Sequence, residues 1–275
     1  MIKNSLDTII NGLSQSVPRS DKEYIGSDGL LRCETCDKRV ETVINVFGKE
    51  RKVRCICDCR KKELNEYKEV EKAQEREKVK KVCFMMSNMA EWTFANDDKQ
   101  NKELSDAMSK YAEQFKDFKK SGTGLLLYGS VGTGKTYYAA CIANELIDKG
   151  YSVLMTNFAR LTNQLQGKFE GRQEYIDSLN DYALLIIDDL GAERNSEYMQ
   201  EIVFSIIDAR YRSGLPFIIT TNLTLDELMG SDSIAHKRIY DRILERCYPI
   251  KVDGKSRRKD NFKSNIMEVG KKLGL

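Results

Sequence analysis

The sequence predicts an α/β fold in which helices cover both faces of a parallel sheet, together with a small cysteine-rich module near the N-terminus. Three observations support this prediction: a glycine-rich loop at residues 129–136, apolar runs that alternate with amphipathic helix patterns, and five of the eight cysteines within residues 33–59. A chain of 275 residues can bury an α/β core of about 180 residues and still hold a separate small module. We therefore expect two domains.

The glycine-rich loop reads Gly-Ser-Val-Gly-Thr-Gly-Lys-Thr and matches the complete G-x-x-x-x-G-K-T pattern of a phosphate-binding loop. Its backbone N–H groups are expected to cradle phosphates at a helix N-terminus; the residues concerned are Gly129, Gly132, Thr133 and Gly134. Lys135 is expected to reach the β and γ oxygens, and the Thr136 hydroxyl to ligate Mg²⁺. The sequence thus predicts a nucleoside triphosphate site, and the alternative is a glycine-rich turn that matches by chance.

A second nucleotide motif is an apolar run at residues 183–187 that ends in two aspartates. A buried parallel strand has such a continuous apolar run and delivers its functional groups at its C-terminal end. Asp188 is the carboxylate expected to hold Mg²⁺, directly or through water, and Asp189 is placed to orient or deprotonate an attacking water. The alternative is a core strand that ends in an acidic turn.

Two further strand candidates, residues 152–156 and 216–221, alternate with helix patterns, and Asn222 follows the second. This alternation favours a parallel sheet covered on both faces. A strand between the two nucleotide motifs, followed by an Ile-Thr-Thr-Asn strand end, resembles the pattern of AAA+ ATPases. The resemblance implies that Asn222 is the sensor-1 residue that helps to position water against the γ-phosphate. Otherwise Asn222 only caps the next turn.

Within residues 125–258, four motifs are narrower than the phosphate loop: Asp-Asp-Leu-Gly, an Arg-Tyr-Arg helix, Thr-Thr-Asn, and an Asp-Arg-Ile-Leu-Glu-Arg helix. Together they resemble the DnaC/DnaI-type helicase loaders, a group that also includes the IstB transposition helpers. The resemblance implies an ATPase that binds ATP together with Mg²⁺. One position departs from the pattern: many AAA+ members carry Glu where this chain has Asp189. Hydrolysis is therefore expected to be slow or to use another carboxylate such as Glu193.

Arginines recur at positions 238, 242 and 246, which places them along one face of a helix. A solvated helix face is one explanation of this row. The AAA+ resemblance implies another, in which Arg242 is the arginine finger offered to a neighbouring subunit, because a planar guanidinium stabilises the charge of a transferring phosphoryl group. The same resemblance assigns a sensor-2-like role to Arg257 or Arg258.

The clustered cysteines form the patterns Cys33-x-x-Cys36 and Cys55-x-Cys57-x-Cys59, separated by a hairpin candidate. Such spacing is typical of a zinc site with sulfur ligands, and free structural cysteines are the alternative. The sequence has no apolar signal segment, so a cytoplasmic location is expected and disulfides are disfavoured. Five cysteines are candidates for the four ligand positions of a tetrahedral zinc. The family layout favours Cys33, Cys36, Cys57 and Cys59, with Cys55 as a substitute.

The charge distribution predicts the domain boundaries. Residues 61–81 carry fourteen charges in twenty-one positions, with opposite signs three and four residues apart, as in an exposed helix. We therefore expect an N-terminal zinc-binding domain at 1–60, a helical linker at 61–84 and an ATPase domain at 85–275. The loader resemblance implies that the N-terminal domain interacts with the helicase. The linker is a docking surface or simply a solvated spacer.

Nucleic-acid binding is indicated less directly, since the net charge is only +3. The loader resemblance implies contacts with single-stranded DNA at four positions, where a cation can follow the backbone and an aromatic ring can stack on bases. These positions are Lys168, Phe169, Ser196 and Tyr198. Ordinary surface loops are the alternative.

The loader resemblance therefore implies a weak ATPase that loads a hexameric replicative helicase onto single-stranded DNA. ATP is expected to order an arc or ring of subunits, and hydrolysis to release it. One rival is an IstB-like transposition helper with a transposase or target duplex as partner. A second is a DNA-associated regulatory protein that binds ATP without productive hydrolysis.

Overall fold

The structure is a computed structural model that describes residues 22–46, 48–84, 88–165, 171–191, 197–230 and 233–274. The chain divides into two compact units, Met1–Glu75 and Arg76–Leu275. Residues 6–13, where the spacing of Leu6, Ile9, Ile10 and Leu13 predicts an amphipathic helix, lie outside the described residues.

The first unit contains two antiparallel strand pairs. Strand β1 (Glu23–Ile25) pairs with β2 (Leu31–Cys33), and β3 (Glu41–Val46) pairs with β4 (Lys49–Arg54). The hairpin predicted between the cysteine pairs is thus present. Among the described residues of this unit, the buried hydrophobic cluster is very small and consists of Cys33, Val40 and Cys57.

A helix of 26 residues, α1 (Asp58–Cys83), begins in the first unit and contains the division between the units. The predicted charged helix is therefore present and extends two to three residues further at each end. Along α1 only Lys80 and Cys83 are buried. Both lie in the second unit, where the Lys80 ammonium is 3.0 Å from the Asp148 carboxylate of the same unit. In the described part of the chain, no helix is long and apolar enough to span a bilayer.

The second unit is built on the predicted parallel sheet, which has five strands in the order β6-β7-β8-β5-β9. The strands are β5 (Gly124–Tyr128), β6 (Val153–Asn157), β7 (Leu184–Leu190), β8 (Phe217–Thr221) and β9 (Cys247–Lys251). Strand β8 lies between β5 and β7, so the residues that follow these three strands meet at one edge of the sheet.

Helices pack on both faces of this sheet, as the sequence predicts. Alternate residues of a strand enter different cores: Leu125 and Leu127 belong to one hydrophobic cluster, and Leu126 belongs to the other. This alternation follows from the two-residue period of a strand. The helices are α2 (Lys102–Glu113), α3 (Phe115–Ser121), α4 (Lys135–Asp148), α5 (Phe158–Leu165), α6 (Arg172–Ser178), α7 (Glu197–Ser213), α8 (Leu225–Met229), α9 (Ile234–Arg246) and α10 (Arg257–Leu273).

One buried arginine joins α7 to two strands. The Arg210 side chain is only 1% exposed, and its guanidinium donates hydrogen bonds of 2.8–3.3 Å to the carbonyl oxygens of Leu179, Tyr182, Ala183 and Pro216. Burial lowers the pKa of Arg210 to about 10. These acceptors lie just before β7 and β8, so Arg210 ties the approaches of both central strands to one helix.

We expect Arg210→Lys to lower the free energy of unfolding by about 2–3 kcal/mol, because an ammonium cannot reach four carbonyl groups and leaves buried acceptors unpaired. Thermal and denaturant unfolding of the purified protein measure this change. Arg212→Lys is the matched control on the same helix, since the Arg212 side chain is 74% exposed. An equal loss in both variants would contradict the structural role of Arg210.

Candidate functional site

The phosphate loop connects β5 to α4, and its glycines are required by a close approach of the chain. A Cβ atom on Gly132 would lie 2.3 Å from the Ser256 Oγ, and the Gly132 φ of +85° is unfavourable for other residues. The Arg257 N–H donates to the Gly132 carbonyl oxygen at 3.0 Å. The loop is therefore packed directly against the first turn of α10.

Lys135 lies at the first position of α4 with its side chain turned into the loop. Its ammonium group donates three hydrogen bonds of 2.8 Å, to the carbonyl oxygens of Gly129 and Ser130 and to the Asn222 Oδ1. Burial lowers the pKa of Lys135. Two residues predicted for one site from distant parts of the sequence are thus in direct contact.

Asp188 ends the apolar part of β7 and accepts hydrogen bonds from two hydroxyl groups. The Thr136 Oγ1 lies 3.0 Å from the Asp188 Oδ1, and the Thr220 Oγ1 lies 2.5 Å from the same oxygen. Burial raises the pKa of Asp188, although both hydroxyl donors act in the opposite direction. A hydroxyl and a carboxylate are both suitable oxygen ligands for Mg²⁺.

Asp189 has a left-handed backbone conformation, with φ at +59°. The register between β7 and β8 shifts between Ile187 and Leu190, and the Asp189 N–H donates to the Thr220 Oγ1 at 2.9 Å. Such irregularities redirect side chains and cost about 1–2 kcal/mol for a residue other than glycine. The strand therefore departs from regular geometry at the position predicted to act on water.

These groups surround a cavity of about 440 Å³. Eight of the predicted site residues line it: Gly132, Gly134, Lys135, Thr136, Asp189, Asn222, Arg257 and Arg258. Asp188 is connected to the cavity through Thr136, which lines the cavity and whose hydroxyl group donates to the Asp188 carboxylate. The cavity has the size of a small-molecule site.

One wall of the cavity was not predicted from the sequence. It includes Trp92, Asn96, Asp98, Gln100 and Tyr137. The Trp92 and Tyr137 rings lie with centroids 5.8 Å apart, and the buried Asn144 side chain donates to the Trp92 carbonyl oxygen at 2.9 Å. The available signal was the single tryptophan in an apolar segment before the ATPase motifs, but no motif spacing links it to the phosphate loop.

Arg257 connects this wall to the phosphate loop. Its guanidinium lies 2.8 Å from the Asp98 carboxylate and 3.7 Å from that of Asp97. It also lies over the Tyr137 and Tyr138 rings, at 5.8 and 5.9 Å from their centroids. Arg257 therefore places a cation in the lining of the cavity, beside the phosphate loop.

Arg242 is not among the described residues that line the cavity. Its guanidinium pairs with Asp208 on α7 and lies near the Phe204 and Tyr211 rings. Arg238 and Arg246 also lie over these two rings. The guanidinium groups of all three arginines therefore lie near aromatic rings of α7, while Arg238 remains exposed to solvent.

The first unit holds a separate cluster of four thiols. The sulfur atoms of Cys33, Cys36, Cys57 and Cys59 all lie within 4.8 Å of one another. Individual Sγ–Sγ distances to Cys59 are 3.2–3.4 Å. Sulfur ligands of a tetrahedral zinc are about 3.8 Å apart, given Zn–S bonds of about 2.3 Å. Cys55 is outside the group, and its thiol lies 3.4 Å from the Arg39 carbonyl oxygen.

The predicted DNA-contacting residues are only partly described. Lys168, Phe169 and Ser196 lie outside the described residues, as does Glu193, the alternative catalytic carboxylate. Tyr198 is on α7, is 41% exposed, and has the Arg172 guanidinium 5.1 Å from its ring centroid. The arrangement of an exposed ring beside a cation suits base stacking.

We expect Asp188→Asn to raise the unfolding temperature of the ligand-free protein at pH 7.5. A raised folded-state pKa means that ionised Asp188 destabilises the fold, and this penalty grows as the pH rises from the unfolded pKa through the folded one. The amide oxygen still accepts from both hydroxyl groups. A gain of about 2–4 °C corresponds to about 1 kcal/mol, and it should shrink at pH 4.

The control for this measurement is Asp106→Asn, since Asp106 is an exposed residue of α2. It should change the unfolding temperature by less than about 1 °C, as surface substitutions usually do. A loss of stability in Asp188→Asn at every pH would contradict the burial argument.

Comparison with known proteins places this site in a family. The model of the family described as "IstB-like ATP binding protein" matches residues 61–265 and so begins after the cysteine cluster. The replicative helicase loader DnaI of Bacillus subtilis (strain 168) is 29% identical over 167 residues, which are 56% of this chain and 52% of that protein. The replicative helicase loader DnaC of Escherichia coli (strain K12) is 29% identical over 141 residues, 50% and 56% of the two chains.

Solved structures agree with these relatives. The crystal structure of DnaI has a TM-score of 0.52 at 30% identity and covers 62% of this chain and 92% of its own. A putative primosome component from Streptococcus pyogenes serotype M3 has a TM-score of 0.50 at 26% identity and covers 60% and 87%. The chain spans about half the length of the curated relatives it matches. The AAA+ fold and the resemblance to the loaders are confirmed, and the chain belongs to the IstB-like ATP-binding protein family.

Proposed function

We propose that this chain is an ATP-dependent helicase loader, which binds a hexameric replicative helicase in the cytoplasm and helps to place it on single-stranded DNA. Two similar proteins carry the name replicative helicase loader. The observation that carries the proposal is the joining of Lys135 to Asn222 and of Thr136 to Asp188 around one cavity. This arrangement gives the protein a nucleotide-controlled switch.

ATP with Mg²⁺ is the ligand that fits this cavity best. Lys135 would exchange its carbonyl partners for phosphate oxygens, which are stronger acceptors for a cation. Thr136 and Asp188 would hold Mg²⁺, whose charge neutralises the triphosphate. The raised pKa of Asp188 supports this assignment, because a nearby cation would stabilise the ionised carboxylate.

Slow hydrolysis follows from the residues assigned to the attacking water. Asn222 and Asp189 would orient this water, and Asp189 is one methylene shorter than the glutamate of many AAA+ ATPases. Arg257 and Arg258 would contact the nucleotide from α10. Weak turnover suits a protein whose ATP and ADP forms must each persist long enough to bind different partners.

Arg242 is assigned to the nucleotide of a neighbouring subunit in an ATP-dependent arc or ring. This role is supported by its position among the α7 rings, apart from the described residues that line the cavity of its own chain. An arginine that acts between subunits makes hydrolysis depend on assembly. The arrangement would couple release of the partner to completion of the arc.

The cysteine cluster is assigned to Zn²⁺, held by Cys33, Cys36, Cys57 and Cys59. Among the described residues, the group consists of four thiols, an all-sulfur donor set that suits a structural zinc. A unit with so small a core needs such support for its folding. We assign helicase contact to this N-terminal part of the chain.

Contact with single-stranded DNA is assigned to Lys168, Phe169, Ser196 and Tyr198 on the loader resemblance. The exposed Tyr198 ring beside Arg172 supports a stacking surface. Loss of this ring should weaken binding to oligonucleotides of any sequence.

Capture of purified hexameric helicases, from host and phage, tests the loader function. We expect retention to differ between ATP and ADP. Lys135→Ala should remove that difference and weaken ATP binding at least tenfold, because each charge-assisted hydrogen bond lost costs about 1.5–3 kcal/mol. Lys116→Ala, at an exposed position of α3, is the control. Failure to retain any helicase with either nucleotide would reject the proposal and make a transposase the next bait.

Metal content tests the cysteine assignment. The purified protein should contain about one zinc per chain, and Cys57→Ser should lose it. Cys55→Ser is the matched control, because the Cys55 thiol lies outside the group. Mass spectrometry of the metal and unfolding in the presence of a chelator give the readouts. Equal zinc loss in both variants, or a wild-type chain without zinc, would contradict the assignment.

A further inference from the structure

The guanidinium of Arg242 is held in a defined plane by groups from two helices. Its Nε donates to the Asp208 Oδ1 at 2.8 Å, and its Nη1 donates to the Arg238 carbonyl oxygen at 2.9 Å. The ring of Phe204 lies 4.7 Å from its Cζ, and the ring of Tyr211 lies 5.7 Å from it. An arginine with solvent alone around it would have no such restraint.

The supporting residues form one face of α7. Phe204, Asp208 and Tyr211 are separated by four and three positions, so they stand next to one another on the helix. The Arg238 guanidinium also lies over the Phe204 ring, with its Cζ atom 4.3 Å from the ring centroid. Asp208 therefore stands between Phe204 and Tyr211 along one helix face, and all three side chains lie against the Arg242 guanidinium.

Asp208 is the charged member of this group. Its side chain is only 13% exposed, and its second oxygen lies 2.5 Å from the Arg212 guanidinium, which is 74% exposed. Arg242 retains 26% exposure. The guanidinium of Arg242 has five N–H groups, and two of them donate the hydrogen bonds described above. The other three can donate to an acceptor that lies outside the described residues.

We propose that Asp208 is the positioning residue for Arg242, fixing the plane in which the guanidinium meets the phosphates bound by a second copy of this chain. The inference rests on the proposed function of Arg242 between subunits. Catalytic groups must be held close to the productive geometry, and a displacement of about 1 Å can cost about 100-fold in rate. Asp208 supplies this restraint without contacting the nucleotide.

Alternatively, the Asp208–Arg242 ion pair has a structural role only and joins α7 to α9. Overall ATPase activity of a single variant would not separate these readings. A test must measure how well one chain donates its arginine to the nucleotide site of another.

Mixing full-length variants provides this test. Arg242→Ala keeps an intact phosphate loop but lacks the arginine, and Lys135→Ala keeps the arginine but has an impaired loop. With a poly-dT oligonucleotide in every sample, the mixture should recover ATP hydrolysis that neither variant has alone. The donor is then changed to Lys135→Ala/Asp208→Asn, with Lys135→Ala/Arg212→Ala as the matched control donor.

We expect the Asp208→Asn donor to support hydrolysis at least tenfold more slowly than the control donor, with the KM for ATP unchanged because the acceptor site is the same. The unfolding temperatures of the two donors should agree within a few degrees. If Asp208→Asn lowers the folded fraction, Asp208→Glu serves as the donor. Its longer carboxylate keeps the ion pair but displaces the guanidinium, so the rate should fall without loss of stability.

The outcomes separate the two levels of the proposal. Equal hydrolysis with the Asp208 and Arg212 donors would overturn the positioning role and leave the loader function intact. No recovery in the parent mixture, or full activity of Arg242→Ala alone, would remove Arg242 from the neighbouring site and overturn the inference with it. Neither result would affect nucleotide-dependent helicase capture.

Discussion

The burial of the Lys135 ammonium is the constraint on which the nucleotide site depends. The residue is 6% exposed, and a buried cation must find acceptors. Its acceptors come from the start of the phosphate loop and from the residue after β8. They meet because β5 and β8 are neighbouring parallel strands, so the residues that follow them lie at the same edge of the sheet. The same strand supplies Thr220, whose hydroxyl group joins Asp188 to the backbone of Asp189. The order of the strands thus brings together the acceptors that the buried Lys135 ammonium requires.

The sequence was sufficient to predict the parts of this fold whose signals are local. A continuous apolar run must be buried on both faces, so the predicted strands at 152–156 and 216–221 lie within one residue of β6 and β8. The run at 183–187 begins one residue before β7 and stops three residues before its end. The phosphate loop and the aspartates at the end of β7 follow from motifs of a few residues. The meeting of Lys135 with Asn222 could be expected as well, since carboxyl ends of parallel strands share one edge of a sheet. Identification of the family required the combined pattern of several motifs.

Features that depend on tertiary contact could not be predicted in this way. The Trp92 wall of the cavity approaches the phosphate loop from a segment with no motif of its own. Arg210 looks like any other charged residue of a helix, yet it is buried among carbonyl groups. The left-handed backbone of Asp189 arises from a register shift between strands, which no single-strand pattern encodes. In each case the deciding information is which distant backbone lies nearby.

The close contact between Gly132 and Ser256 gives α10 the mechanics of a lever. The first turn of this helix is fixed to the phosphate loop, and its 17 residues extend about 25 Å at 1.5 Å per residue. A rotation of about 10° at the loop would therefore move the far end by about 4 Å, a simple consequence of that length. Small adjustments around a phosphate group would be amplified at the outer surface, where the exposed side chains of Phe262, Ile266 and Leu273 would carry the displacement.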